Sequence, residues 1–346
     1  MKAAKRFPAL IWCWQFCTKP TPRLSDLLQG LPEPEAAEVE RSIFAEEAEN
    51  DITVHFRYAN FDARYTLPNS TLEDFETVIK ALRNGLAQLV AVASEEEEEG
   101  EQSKAIKTDA VARAFLTAVR LWPLANPSDL WWFIIYRAYC EPYNHPAKFA
   151  RLSFEQSWKR TGGWALEEIL VRHYGPFLKQ HGVNLFIADS ATKHRLVQTL
   201  GLTDRVEADK VDVVLSGDTS RGQKMFGVVH VKASFAERRT DDVPLSGALT
   251  RGGYTSPLWT MDCKSTPGAH PVNRGELGAI AGRVSAKRKD IEEEGYFTGC
   301  FSYNKNTLPS APSLPIERRV NVCNFSNPDD AFSSFIISRW QAFQTP

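Results

Sequence analysis

Hydrophobic and polar positions alternate most clearly near the middle of the chain. Val211, Val213 and Leu215 interleave with Asp212 and Val214, and Val229 and Val231 interleave with His230 and Lys232. A period of two predicts strands over 210–215 and 228–232. Ser216, Gly217 and Asp218 with Arg221 and Gly222 provide turn residues for a hairpin between them. Upstream, Leu166, Ile169, Leu170, Tyr174, Phe177 and Leu178 keep helical spacing, which predicts a helix from about 153 that stops at Gly182. Helical patterns also cover 72–92, 108–121 and an aromatic segment around Trp131, Trp132, Phe133 and Tyr136. Residues 53–58 alternate like a strand, 259–264 and 296–303 read as further strands, and a mixed-charge helix is expected from Asn273 to Glu294. Helices and strands in this order predict an α/β fold: helices around a mixed central sheet, preceded by an α-rich region.

The hairpin is also where chemistry is legible. Asp212 and Lys232 stand twenty positions apart, a separation that antiparallel pairing can close. One carboxylate and one lysine on rigid neighbouring strands are the minimum equipment for metal-assisted phosphodiester cleavage. The carboxylate would hold a divalent cation, and the lysine would position a water or meet developing negative charge. Glu167 adjoins the apolar stripe of the long helix and can turn its carboxylate inward. The bland alternative for each residue is a solvated or paired surface charge.

The order of helix with inward Glu, strand with Asp, and strand with Lys resembles the PD-(D/E)xK nuclease superfamily, and type II restriction endonucleases in particular. Gly163 and Glu167 match the family's glycine followed four residues later by glutamate, Asp212 its aspartate and Lys232 its lysine. The run from Lys232 through Ala233, Ser234, Phe235, Ala236 and Glu237 to Arg238 is similar to that of enzymes reading CCGG-type or CCNGG-type sites. The resemblance spans about residues 150–305. It implies a nuclease core over 151–346 and leaves 1–150 as a mainly helical region for recognition or dimerisation. It further implies Mg²⁺-dependent cleavage of double-stranded DNA at a short, palindromic site by a cytoplasmic homodimer, functionally paired with a DNA methyltransferase. Asp212 with Glu167 or Asp242 would hold the metal, Lys232 would assist the attacking water, and Ser234, Glu237, Arg238 and Arg239 would approach DNA. Either arginine would read guanine or hold a phosphate.

The chain departs from the motif in three places. His230 stands where an acid is expected two residues before the lysine, no proline precedes Asp212, and Ala236 replaces a basic residue. Hard cations prefer oxygen, so a carboxylate from the following segment is needed. The candidates are Glu237, Asp241, Asp242 and Asp262, with Asp242, followed by Val243 and Pro244, favoured at a helix entrance. Asp262 and Lys264 form a literal Asp-x-Lys that competes for the catalytic pairing with Asp212. Two alternatives remain: a structure-directed repair nuclease, and a DNA-binding protein whose metal site has decayed.

Composition bounds the rest. With 346 residues, 43% of them hydrophobic, the chain can bury a large core. A net charge of −2 does not argue against DNA binding, since from Arg221 to Arg251 there are six Lys or Arg against three acids. Glu95–Glu99 form a solvated acidic run. Six cysteines scattered at 13, 17, 140, 263, 300 and 323 fit free thiols in a reducing compartment. The first twenty residues carry early lysines and an apolar centre, but Trp12, Trp14 and two cysteines interrupt it, so they read as part of the fold. No apolar run reaches the length of a membrane span. His-Glu-x-x-His, Gly-x-Ser-x-Gly and Cys-x-x-Cys patterns are absent, and residues 217–224 read as a turn, not a P-loop.

Overall fold

The computed structural model describes residues 43–58, 61–92, 100–140, 154–199, 201, 203, 207–220, 222–234, 239–264, 271, 273–278 and 285–344. Two sheets carry the strands. The first is an antiparallel meander of β1 (Ile43–Ala48), β2 (Asp51–Tyr58) and β3 (Phe61–Leu67). The second has six strands in sequential order: β4 (Val183–Ile187), β5 (Val213–Thr219), β6 (Gly222–Lys232), β7 (Leu258–Thr260), β8 (Cys300–Ser302) and β9 (Val320–Val322).

This larger sheet is mixed. Strands β4, β5 and β6 pair antiparallel, whereas β6 to β9 pair parallel. Its two faces follow the pleat. Val213, Leu215, Val229, Val231, Trp259 and Phe301 belong to one apolar cluster, and Val214 and Val228 to another packed with Leu245 and Leu249. Buried on both faces, β7 and β8 lose the polar alternation that marks the hairpin, while β9 is half-buried at the sheet edge.

The first face is covered by the long helix α5 (Phe154–Gln180) and the C-terminal helix α9 (Ala331–Gln344). Before α5 come α1 (Leu72–Ala87), α2 (Leu89–Val92), α3 (Glu101–Leu121) and α4 (Pro127–Cys140). The start of α1 is fixed by a reciprocal capping box between Thr71 and Asp74. Between β4 and β5 lies α6 (Ser190–Thr199), between β6 and β7 lies α7 (Arg239–Arg251), and α8 (Ala286–Glu292) precedes β8. A single apolar cluster runs from Ile52 through Phe115, Ile169 and Trp259 to Trp340. No described helix is long and apolar enough to cross a membrane.

The structure differs from the sequence reading in several places, and β4, α6 and β9 were not among its expectations. The hairpin turn is tighter than expected, because Ser216–Asp218 continue β5 and Thr219 pairs with Gly222. Of the meander only β2 was expected: adjacent Glu46 and Glu47 break the alternation of β1, whereas β3 alternates Phe61, Ala63, Tyr65 and Leu67 with Asp62, Arg64 and Thr66, a strand signal absent from the expectations above. Residues 273–278 are not helical: Gly275 takes φ +73°, and the amides of Glu276 and Leu277 are turned onto Asp262. Residues 279–284 lie outside those described. Helix α9 has no counterpart among the sequence expectations, although Asp330 accepts hydrogen bonds from the amides of Phe332 and Ser333 at its start.

Gly227 marks the closest approach of β6 to the segment before β7. A Cβ there would sit 2.2 Å from the Thr255 carbonyl oxygen, and backbone cannot step aside as a flexible side chain can. Gly227→Ala is expected to destabilise the fold by about 1–3 kcal/mol, the usual range for overpacking. Thermal melting of the two proteins checks this, and an unchanged midpoint would contradict it.

Candidate active site

The site forms where β6 changes partner. Strand β5 begins only at Val213, whose register partner is Val229, so the antiparallel ladder ends before it can serve the amide of Val231. The Asp212 side chain takes over: its Oδ2 accepts that amide at 2.8 Å and the Lys232 ammonium at 2.5 Å. A buried amide needs an acceptor, so the geometry that completes the ladder also fixes the carboxylate beside the lysine. On its other side β6 pairs with β7, which holds His230 and Lys232 against Leu258 and Thr260.

A third group arrives from α7. Asp242 lies in the first turn of that helix, fully buried, with Oδ1 3.4 Å from Lys232 Nζ and 3.8 Å from His230 Nδ1. Burial works against its charged form, but His230 and the Lys232 ammonium outweigh it and hold the carboxyl below the usual aspartate range. The helix N-terminus favours the same charge. Neither Asp242 oxygen has a hydrogen-bond partner, although both are buried. Asp212, His230 and Asp242 together offer ligand atoms that all lie within 4.8 Å of one another. Two neighbouring carboxylates, one of them with both oxygens buried and orphaned, suit a divalent cation.

Glu167 faces this centre from α5. It is buried, and its pKa is pushed up to about 8 by desolvation first and by the Asp212 charge second, with Lys193, Lys232 and Lys104 pulling the other way. Asp212, Lys232, Asp242 and Glu167 therefore share one electrostatic neighbourhood. Of the residues expected near DNA, Ser234 follows β6 and is half-buried, and Arg239 opens α7. Glu237 and Arg238 lie outside the described residues.

The competing pair is occupied elsewhere. Asp262 has φ +45°, and its carboxylate accepts the amides of Glu276 at 2.6 Å and Leu277 at 3.2 Å and the Thr307 hydroxyl at 2.7 Å. Lys264 is half-exposed and pairs with Glu276 at 2.8 Å. Asp262 thus closes a loop. Sequence reasoning did not find the polar support behind His230, which consists of Ser246, Ser256 and Thr298. Isolated serines and threonines carry no signal until a fold assembles them.

Comparison with known proteins bears on this geometry. The chain is 41% identical over 239 residues to the type II restriction enzyme AgeI of Thalassovita gelatinovora, covering 67% of this chain and 84% of that enzyme. It belongs to the type II restriction endonucleases. Among solved structures, the restriction endonuclease matches a crystal structure of a specific AgeI–DNA complex with a TM-score of 0.68 and 33% identity, over 83% of this chain and 99% of the other. A pre-specific BsaWI–DNA complex aligns with a TM-score of 0.40 and 13% identity, over 79% and 94%. No protein-family model matches the chain. As a member of this group the protein is a site-specific deoxyribonuclease built on a mixed α/β core.

Glu167 sets a pH dependence for the metal-free protein. A carboxyl raised from 4.5 to about 8 keeps a proton in the native state that the unfolded chain has released. Its contribution to stability is therefore complete below the unfolded value and is lost as pH rises through the folded one. In the presence of a chelator, wild-type melting temperature should fall between pH 6 and pH 8.5 relative to Glu167→Gln, which cannot titrate. Parallel curves for the two proteins would exclude this assignment.

Proposed function

We propose that this restriction endonuclease hydrolyses double-stranded DNA with Mg²⁺ held by Asp212, Asp242 and Glu167, and with Lys232 as the positively charged partner of the attacking water. The observation that carries the reading is the convergence of Asp212 and Asp242 on Lys232, with both Asp242 oxygens buried and lacking a hydrogen-bond partner. A divalent cation in that cluster would polarise the scissile phosphate and make an adjacent water more acidic. Lys232 holds its ammonium between the two carboxylates and favours the charged form of Asp242. Its amine can also stabilise the negative charge that develops on the phosphate oxygens. Asp212 is fixed by the Val231 amide and Asp242 by the buried first turn of α7, so the ligands are preorganised on a strand end and a helix end.

The target is a short palindrome of the CCGG or CCNGG type, read by a homodimer in which each subunit serves one half-site. The relative of known structure is described in complex with DNA. Ser234, Glu237, Arg238 and Arg239 follow the catalytic lysine in sequence and would approach the DNA beside the scissile phosphate. An arginine there would offer guanine its bidentate donors. Such cleavage requires protection of host DNA, which a companion methyltransferase supplies.

Digestion of a sequenced plasmid with purified protein and Mg²⁺ should give discrete fragments with a common end sequence. A chelator should abolish them, and a continuous smear would favour a structure-directed nuclease instead. Lys232→Ala should lower the cleavage rate roughly 10²–10³-fold, the usual loss for one charge-stabilising donor. Lys264→Ala should leave it within about twofold, since a half-exposed surface pair contributes little. The reverse ranking would move the catalytic pairing to Asp262 and Lys264.

A further inference from the structure

Three short polar contacts stand in line behind His230. Its Nε2 lies 2.9 Å from Ser256 Oγ, Ser256 Oγ lies 2.8 Å from Ser246 Oγ, and Ser246 Oγ lies 2.7 Å from the Tyr296 carbonyl oxygen. Each contact needs one hydrogen. The carbonyl supplies none and the two hydroxyls supply two, so the third comes from the imidazole. The hydrogens therefore run one way: Nε2–H donates to Ser256, Ser256 to Ser246, and Ser246 to the carbonyl. Reversing the first contact would leave two oxygens at hydrogen-bond distance with nothing between them. The Thr298 hydroxyl accepts the Ser256 amide at 2.8 Å, and Phe297 meets the imidazole edge to face, which fixes the ring plane.

The same count describes the other ring nitrogen. In the neutral ring, a hydrogen on Nε2 leaves Nδ1 with a lone pair. Nδ1 is buried, has no hydrogen-bond partner, and stands 3.8 Å from Asp242 Oδ1. Facing Asp242, Nδ1 can carry a proton, the arrangement that favours the aspartate's charge, or offer its lone pair to a cation that takes the proton's place. Metal-ligating histidines are oriented in this manner, through a hydrogen bond donated by the ring nitrogen remote from the metal.

We propose that His230 binds the catalytic cation directly through Nδ1, together with Asp212 and Asp242, in the place where the family motif has an acid. A nitrogen donor in an otherwise oxygen site shifts preference from Mg²⁺ toward Mn²⁺ and Co²⁺, which accept imidazole more readily. This inference rests on the proposed reading of the cluster as a metal centre.

Electron spin-echo spectroscopy of the full-length protein loaded with Mn²⁺ reads the ligand without turnover. The expected spectrum shows nitrogen modulation from a coordinated imidazole, altered when the seven histidines carry the heavier nitrogen isotope. The modulation should vanish in His230→Asn, which keeps a hydrogen for Ser256, while Mn²⁺ remains bound. In His230→Asp the ratio of Mn²⁺ to Mg²⁺ affinity should fall about tenfold. Mn²⁺ bound without nitrogen modulation, or modulation that survives His230→Asn, overturns the histidine ligand and leaves the proposed function standing. Failure of the wild-type protein to bind Mn²⁺ overturns both. Isotope labelling of the wild type reads imidazole coordination even if a substitution disturbs folding.

Discussion

Strand β6 is paired antiparallel on one side and parallel on the other, and the two ladders do not end together. Strand β5 stops short, so the Val231 amide faces a gap that only the Asp212 side chain fills. An unpaired amide at that depth would cost about 1–3 kcal/mol, which makes a carboxylate at this position part of the fold as well as part of the chemistry. The parallel side holds Lys232 in register with Thr260, so the ammonium meets that carboxylate without any loop having to move.

The remaining polar groups follow from this arrangement. Asp212, Lys232, Asp242 and Glu167 are all buried, and charges so placed are tolerated only when compensated. The compensation is incomplete. One lysine serves two aspartates, Glu167 is pushed toward its neutral form, and both oxygens of Asp242 lack hydrogen bonds. Negative charge in excess of its partners is the electrostatic state a cation site requires. It also explains why a buried imidazole can occupy a position where an acid would add to the surplus.

Legibility in the sequence followed the physics of patterning. Asp212 and Lys232 could be found because one face of the hairpin strands alternates with polar residues, and Glu167 because it borders a regular apolar stripe. Asp242 was favoured for its place before a proline at a helix entrance, and α7 begins there. Strands β7, β8 and β9 are three residues each; β7 and β8, buried on both faces, were located only approximately, and β9 had no counterpart among the expectations. The helix expected from Asn273 to Glu294 is present over Ala286–Glu292 but not at its start, where a remote carboxylate, that of Asp262, captures the backbone amides of Glu276 and Leu277. No local pattern encodes a partner fourteen residues away. The tautomer of His230 was equally hidden, since it depends on Ser256, Ser246 and the Tyr296 carbonyl meeting in space.

The apolar cluster that runs unbroken from Ile52 to Trp340 has an evolutionary consequence. Side chains of α1, α3 and α4 interlock with those beneath the catalytic sheet, so exchanging these helices for those of a cousin enzyme would have to preserve a shared interior. Altered targeting would have to arise by point changes at the periphery, each compatible with a shared interior. Diversification in such a lineage is expected to be gradual, with recombination inside the gene producing mostly chains that fail to pack.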